Sequence, residues 1–233
     1  MTVQEFRELT QAVAGPHTGL PPMSKAVIDS LYFNTALHVV ESIDLPWLRG
    51  DDSQNIVAGQ ADYYLPVNLH VPLSIHRYAS TYQVWEKLEA VLPEDAIQTS
   101  TVDDERTTYS HCGVETSAGG DYGRWKIKLY PTPTEAIASG LRVLYKKKPT
   151  KLASHSSDSA EIVEFPESLL MPMAHRCVWL LASRGGMGNA SKDIASYNLF
   201  YESELRRVAA RFNELQNHDA EVRQMPGSLT IRL

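Results

Sequence analysis

Apolar residues recur at three- and four-residue steps near both ends of this chain and at two-residue steps in its middle. Thr2 and Glu5 have the spacing of a capping box, which predicts a short amphipathic helix that ends at Gly15. Its apolar face is predicted to contain Phe6, Leu9 and Val13. Ser24 can cap a second helix, which Pro46 ends. The buried face of that helix is predicted to contain Ile28, Tyr32, Ala36, Val39 and Ile43.

The strongest helical pattern lies in residues 165–216, which predict two consecutive helices with a glycine-rich corner between them. Pro166 and Glu167 suit a first helical turn, and Gly185 with Gly186 gives a stop signal. The first helix has an apolar stripe of Leu169, Leu170, Met173, Cys177, Leu180 and Leu181. The second has a stripe of Ile194, Tyr197, Tyr201, Leu205, Val208, Phe212 and Leu215.

Charged residues occupy the other face of the second helix. Glu202 and Arg206 stand four residues apart, so we expect them to pair along the helix surface.

Between the two helical regions the pattern becomes strand-like. Strands are predicted at 55–58, 62–65, 71–78, 109–114, 124–130 and 141–145. Turns are predicted at 51–53, 59–60 and 119–121, and a polar, acidic loop at 93–108. Within 71–78, we expect Val71, Leu73 and Ile75 to share one face. Residues 82–92 fit either a strand or a helical face.

These elements predict an α+β fold, in which N-terminal and C-terminal helices form a bundle that packs with a central antiparallel β-rich domain. The predicted division is residues 1–46 for the N-terminal helices, 47–163 for the β-rich domain, 164–217 for the helical hairpin and 218–233 for a polar tail.

Composition narrows the class of protein. The net charge of −6 argues against a protein that holds nucleic acid by neutralising phosphates. No secretory signal and no apolar run long enough to span a bilayer is visible. With 2 cysteines far apart, and Cys177 on an apolar helical stripe, we expect Cys177 to be a buried thiol in a reduced, cytosolic chain.

The sequence gives little evidence for a phosphate-binding, metal-binding or catalytic site. Residues 185–192 resemble a phosphate loop but lack its spacing and follow a helix, so a helix–helix corner is the better interpretation. The histidines, among them His175, show no metal-binding spacing, and His175 fits a packed or rim position. No serine nucleophile motif is present. The sequence therefore predicts no enzyme, no catalytic residue, no cofactor and no metal.

Two regions are candidate partner contacts. Lys146, Lys147 and Lys148 form the sole basic cluster, which is either a solvated strand end or a contact with an acidic partner or passing DNA. The C-terminal residues 228–233 alternate in character, so Leu229, Ile231 and Leu233 could add a strand to the sheet edge of a neighbour. A frayed terminus is the alternative.

Three sequence features resemble the head-to-tail adaptor proteins of tailed bacteriophages. The first is the strand end "YYLP" at 63–66. The second is "LYPTP" at 129–133, followed by a strand with Leu141, Val143 and Tyr145. The third is Phe165 and Pro166 leading into an alanine-bearing helix, a glycine pair and a long final helix. The pattern covers most of residues 24–216, although 91–108 departs from it in being more acidic and less strand-like.

The resemblance implies a structural virion protein, made in the host cytoplasm, that forms a ring of commonly twelve copies below the portal. Such a ring bridges the portal protein and the next tail or nozzle protein, and it leaves a channel for DNA. An acidic wall would let a polyanion slide past. A tail-completion or baseplate subunit is an alternative, and a small hydrolase or ligand-binding domain is another.

Overall fold

The computed structural model describes residues 1–17, 20, 23–80, 82–92, 108–115, 124–184 and 192–224. The chain forms two compact units, one of Met1–Pro46 with Pro149–Leu233 and the other of Trp47–Lys148. The predicted α+β class is confirmed, since the described residues form four α-helices and two sheets. We call the two parts the helical unit and the β unit.

The first helix, α1 (Val3–Ala14), is fixed at its N-terminus by the predicted capping box. Thr2 Oγ1 accepts a hydrogen bond from the Glu5 amide at 3.2 Å, and the Glu5 carboxylate accepts one from the Thr2 amide at 2.7 Å. The Val3 and Gln4 amides donate to the backbone carbonyls of Ala160 and Asp158, at 2.9 Å and 2.8 Å. The first-turn amides, which have no partner inside a helix, are therefore satisfied by two different segments.

The buried face of α1 is rotated from the predicted one. Leu9 and Val13 are half-buried, and the buried residues are Val3, Phe6, Arg7 and Thr10. Arg7 accounts for the difference, because carboxylates from two other segments hold its guanidinium inside the unit. A prediction from hydrophobicity alone places such an arginine on the face exposed to solvent.

The second helix, α2 (Lys25–Ser42), follows the prediction closely. Ser24 Oγ accepts a hydrogen bond from the Val27 amide at 3.4 Å and caps the helix. The five predicted core residues are all buried. After α2, a 3₁₀ turn at Pro46–Leu48 leads into the β unit.

Two further helices, α3 (Glu167–Arg184) and α4 (Lys192–Gln224), complete the helical unit after a 3₁₀ turn at Leu152–Ser154. The predicted stripe of α3 is buried except for Leu180, which is half-buried. In the predicted stripe of α4, Ile194, Tyr201, Leu205 and Val208 are buried, as predicted, and Tyr197 and Phe212 are only half-buried. Leu215 lies outside the residues whose side chains the structure describes. The predicted glycine-rich corner at 185–190 lies outside the described residues.

The predicted pair between Glu202 and Arg206 is wrong. Glu202 instead accepts a hydrogen bond at 2.9 Å from Arg176 on α3. Arg176 also lies over the Tyr201 ring, 4.5 Å from its centre. A partner on the facing helix is less exposed to water than one along the same helix surface, which explains the preference.

The β unit contains two four-stranded sheets. The first sheet has the order β1-β8-β3-β4 and the second β2-β7-β6-β5. The strands are β1 (Arg49–Ile56), β2 (Asp62–Tyr64), β3 (Leu69–Ala79), β4 (Val84–Lys87), β5 (Glu89–Ala90), β6 (Thr108–Glu115), β7 (Arg124–Tyr130) and β8 (Ile137–Lys147).

One apolar core lies in the β unit, and both sheets contribute to it. Alternation predicts its members well: Ile127 and Leu129 of β7 are buried, and so are Leu141, Val143 and Tyr145 of β8. Gly50 of β1 lies against the Tyr145 ring, and a Cβ there would come within 2.3 Å of a ring carbon. The tyrosine therefore requires glycine at its cross-strand position.

Two local predictions in the β unit are wrong. Residues 51–53 belong to β1 rather than to a turn, because they pair with β8. Leu73 is exposed rather than buried with Ile75, because the register of β3 against β8 shifts between Pro72 and Ser74.

The uncertain stretch 82–92 is extended, forming β4 and β5 with buried Leu88 between them. The turn predicted at 59–60 is confirmed, since Gly59 has a φ of 79° that glycine tolerates best. The predicted turn at 119–121 and most of the predicted loop at 93–108 lie outside the described residues.

Candidate partner interface

The three lysines predicted as partner contacts lie at the end of β8 and just beyond it. Lys146 and Lys147 are the last two residues of the strand, and all three lysines are half-buried. The Lys148 amide donates to the Asn68 carbonyl at 2.7 Å, which fixes the chain as it leaves the sheet. Because successive strand residues face opposite sides, Lys146 and Lys147 extend to different faces of the sheet. Their role as contacts stays a prediction.

The other predicted contacts, Leu229, Ile231 and Leu233, lie outside the described residues. Their addition to the sheet edge of a neighbour therefore also stays a prediction.

Lys146 belongs to a larger group on the outer face of the first sheet, the face opposite the core. Residues directly opposed on neighbouring strands share a face. Arg142 opposes His76, which opposes Lys87, while Tyr78 opposes Trp85 and Lys146 opposes Arg49. We call this group the basic face, and its cationic and aromatic members are Arg49, Tyr78, Trp85, Lys87, Arg142 and Lys146.

Trp85 lies at the edge of the basic face, on the short edge strand β4, and is 40% exposed. Its ring meets the Tyr78 ring edge-on, with ring centres 5.4 Å apart. The Arg142 guanidinium lies 6.0 Å from the centre of the Trp85 ring. Arg142 is itself held by Asp51, which accepts hydrogen bonds from Nε at 2.9 Å and from Nη2. The aromatic edge is therefore fixed in position by neighbours on three other strands.

Positive charge dominates this face. Among its strand residues, four cationic side chains stand against one carboxylate, Asp51. Hydrogen bonds from Arg142 hold the pKa of Asp51 below its ordinary value, so this carboxylate stays charged. The pKa of His76 is also lowered, first by burial and then by the nearby Arg142 and Lys87 charges. Among the described strand residues, the basic face therefore has more cationic side chains than carboxylates, on a chain whose net charge is −6.

A second exposed feature lies on the helical unit, where α3 and α4 border a shallow groove. Its lining includes Glu167, Ser168, Pro172, Glu204 and Arg207, with Met171 and Phe200 at 50% and 39% exposure. The His175 ring meets the Phe200 ring edge-on, and its Nδ1 donates to the Met171 carbonyl at 2.9 Å. His175 is half-buried, which fits the packed or rim position predicted for it. An open apolar groove suits contact with a protein better than chemistry on a small molecule.

Among the described residues, the free thiol is buried and the potential metal ligands do not cluster. Cys177 is fully buried as predicted, and burial raises the pKa of its thiol to about 12. Such a thiol is unreactive at neutral pH. In the part of the chain that the structure describes, no group of three or more His, Cys, Asp or Glu residues could hold a metal ion. None of the described helices is long and apolar enough to span a bilayer.

Sequence reasoning missed the basic face. Its residues are spread over four strands, and only the strand register brings them together. One signal was available in the sequence, because Trp85 and Lys87 stand two residues apart and so would share one face of a strand. Tryptophan is among the residues enriched at protein interfaces.

The two strand-end motifs that resemble phage head-to-tail adaptors, at residues 63–66 and 129–133, lie at the ends of β2 and β7. The family model of the SU10 adaptor protein matches residues 21–229. This chain therefore belongs to the SU10 adaptor protein family, whose members are phage head-to-tail adaptors. No curated protein matches the chain.

Family membership makes this a structural protein of the bacteriophage virion, located where head and tail meet, and one that interacts with other head and tail proteins.

Proposed function

We propose that copies of this chain form a ring, commonly of twelve, that binds below the portal and joins it to the next tail or nozzle protein. The match to the adaptor family over residues 21–229 carries this proposal. In the proposed ring the helical unit contacts the portal, and the β unit contacts the tail. The N-terminal helix, Lys146–148 and the C-terminal residues 228–233 are the proposed contact regions.

The ring leaves a channel through which viral DNA passes, and the chain does not catalyse a reaction. The net charge of −6 supports the first part, because a wall of like charge does not retain a polyanion. The second part is supported by the described surfaces, whose exposed features are an apolar groove and a charged sheet face. Both features suit protein contacts that are spread over a large area.

The proposal is tested by measuring the mass of the purified chain with and without the portal protein of the same phage. Native mass spectrometry or light scattering gives the mass directly. We expect the chain alone to be a small species, and the mixture to contain a complex with a closed ring of adaptors.

Asp158→Lys serves as a control for folding, because Asp158 pairs with Arg7 and Lys25 inside the helical unit. A loss of ring formation in this variant would reflect a destabilised helical unit rather than a lost contact with the portal. A chain whose mass is indifferent to the portal would contradict the proposed function. In that case the groove between α3 and α4 becomes the first place to search for a small-molecule site.

A further inference from the structure

We infer that the outer face of α2 in one copy of this chain packs into the groove between α3 and α4 of the adjacent copy. The inference rests on the proposed ring and names one of the contacts between its subunits. The outer face is formed by Ser30, Phe33 and Leu37, and the groove is lined in part by Ser168, Met171 and Phe200.

The composition of α2 indicates that its outer face is covered in the assembled particle. No Asp, Glu, Lys or Arg occurs between Asp29 and Glu41, which is three turns of the helix. A helix with one face on a core normally has charged residues on the opposite face, and a helix that is apolar all round is normally buried. The outer face of α2 instead has Phe33 and Leu37, four residues apart and half-buried in the single chain, with Ser30 in the preceding turn.

The groove between α3 and α4 offers the matching apolar surface. Met171 and Phe200 in its lining are 50% and 39% exposed, and Leu199, next to Phe200 in the sequence, is 71% exposed. A groove of this kind is where the apolar face of a helix commonly binds, and its anchors stand three or four residues apart. Phe33 and Leu37 have that spacing. A methionine thioether against a phenylalanine ring adds a favourable contact.

The two surfaces lie on opposite sides of the pair formed by α2 and α3. Thr35 on α2 contacts Cys177 on α3, with Oγ1 and Sγ 3.7 Å apart. At about 100° per residue, Leu37 lies about 160° around α2 from Thr35. On α3, Met171 and Ser168 lie about 120° and about 180° around the helix from Cys177. The outer face of α2 therefore points to one side of the helical unit, and the groove opens to the other.

This arrangement favours an adjacent copy over a different partner. A ring is built from heterologous contacts, in which one surface of each copy meets a different surface of the next. Two apolar surfaces on opposite sides of one unit meet that requirement, and every copy in a closed ring then covers both of them. A partner such as the portal protein, bound to one of the surfaces, would leave the other in water.

One charge pair fixes the register of the contact. Glu167, in the groove, is exposed and has no ion-pair partner among the described residues. Lys151 is exposed beside the outer face, with Nζ 5.2 Å from the centre of the Phe33 ring, and none of the carboxylates that the structure describes pairs with it. Its ammonium group has three donors, so it can stay over the ring and still bind a carboxylate. We expect Lys151 of one copy to pair with Glu167 of the next. The other charges of the groove, Glu204 and Arg207, pair with each other at 2.7 Å.

Disulfide trapping tests the contact. One chain carries Ser30→Cys and another carries Ser168→Cys, both with Cys112→Ser, while the buried Cys177 is left in place. The two chains are mixed, assembled on the portal protein of the same phage and oxidised. We expect covalent dimers between the two different chains on a non-reducing gel, and no dimer from either chain alone. The matched control uses Ser183→Cys in place of Ser168→Cys. Ser183 is also exposed on α3 but lies about 22 Å further along the helix, beyond the reach of a disulfide, so we expect no dimer.

Charge reversal provides an independent readout. We expect Lys151→Glu to raise the concentration at which the ring assembles by about tenfold, the effect of losing one favourable charge contact. Adding Glu167→Lys to the same chain should restore assembly, because every contact in the ring then contains the pair in reversed order. Lys128→Glu makes the same charge change in the β unit and should leave assembly unchanged. Urea unfolding of the free chains checks that each variant is folded.

The outcomes separate the inference from the proposed function. A ring that forms on the portal without the covalent dimer, or with as much dimer from Ser183→Cys, overturns the inference and leaves the proposed function intact. Dimers of the Ser30→Cys chain with itself indicate a symmetric contact and also overturn it. So do equal effects of Lys151→Glu and Lys128→Glu, or a double reversal that does not restore assembly. If the unsubstituted chain forms no ring on the portal, the proposed function fails and the inference fails with it.

Discussion

The charged cluster of Arg7, Lys25, Asp29 and Asp158 in the helical unit gives the sharpest prediction of stability. Arg7 is 7% exposed and binds Asp29 through two parallel hydrogen bonds, Nε to Oδ1 at 2.9 Å and Nη2 to Oδ2 at 2.8 Å. Asp158 accepts a further bond from Arg7 at 2.5 Å and one from Lys25 at 2.8 Å. We consider Asp29→Ala, which removes the partner that α2 provides to α1.

The expected cost follows from burial. Each hydrogen bond to a charged group contributes about 1.5–3 kcal/mol, and breaking a buried ion pair costs about 3–5 kcal/mol. Asp158 is 48% exposed and retains part of the attraction, so we expect a loss of about 3 kcal/mol in the free energy of unfolding. Lys25 is 71% exposed, and Lys25→Ala, the control within the same cluster, should cost less than about 1 kcal/mol.

Urea unfolding followed by circular dichroism at 222 nm measures both losses, since the helical unit dominates that signal. With a slope of about 2 kcal/mol per M, Asp29→Ala should lower the midpoint by about 1.5 M. Combining Arg7→Met with Asp29→Leu should recover most of the loss, because no buried charge is then left unpaired. If Asp29→Ala lowers the free energy of unfolding no more than Lys25→Ala does, then leaving the buried Arg7 without Asp29 has no extra cost, and the reasoning is refuted.

Three further predictions concern the helical unit and the tail. Leu205→Asp should unfold the helical unit, because Leu205 is 4% exposed, whereas Leu199→Asp on the same helix should be tolerated at 71% exposure; thermal melts compare them. His38 has a pKa lowered by burial and by Arg176, with Glu202 and Glu41 opposing. The folded state therefore binds fewer protons than the unfolded state, and stability falls as pH drops below about 6.5. His38→Gln should flatten that fall in unfolding curves between about pH 7 and 5. Deleting residues 217–233, which removes the end of α4 together with the tail, should leave a folded subunit that assembles weakly; normal assembly by mass would contradict this.

Local patterns predicted the elements that depend on local interactions. The face of α2 follows from a regular apolar spacing and a serine cap, and β7 follows from strict alternation between a charged and an apolar residue. Proline after β7 removes a backbone donor and ends the strand as expected. In these cases the residues that decide the structure lie within a few positions of one another.

The predictions are wrong where a residue distant in the sequence determines the local structure. Residues 51–53 have the composition of a turn, but Arg142, 91 residues later, binds Asp51 and makes an acidic strand stable. Arg7 occupies a core position because carboxylates from α2 and from the 158–160 segment neutralise it. The basic face has the same origin, since spacing along the chain does not reveal which strands become neighbours.

The connectivity of the two units also sets the order in which the protein can fold during synthesis. The β unit is one continuous stretch, whereas the helical unit needs α1 and α2 from before it and α3 from after it. At about 5–20 residues per second, the ribosome takes roughly 6–25 seconds to make residues 43–166, which separate α2 from α3. The β unit can fold in that interval, whereas the apolar face of α2 stays uncovered until α3 has been synthesised. Nascent chains are therefore most exposed to aggregation and proteolysis just before α3 emerges, and a stop codon after residue 148 should yield a stable β unit with unfolded N-terminal helices.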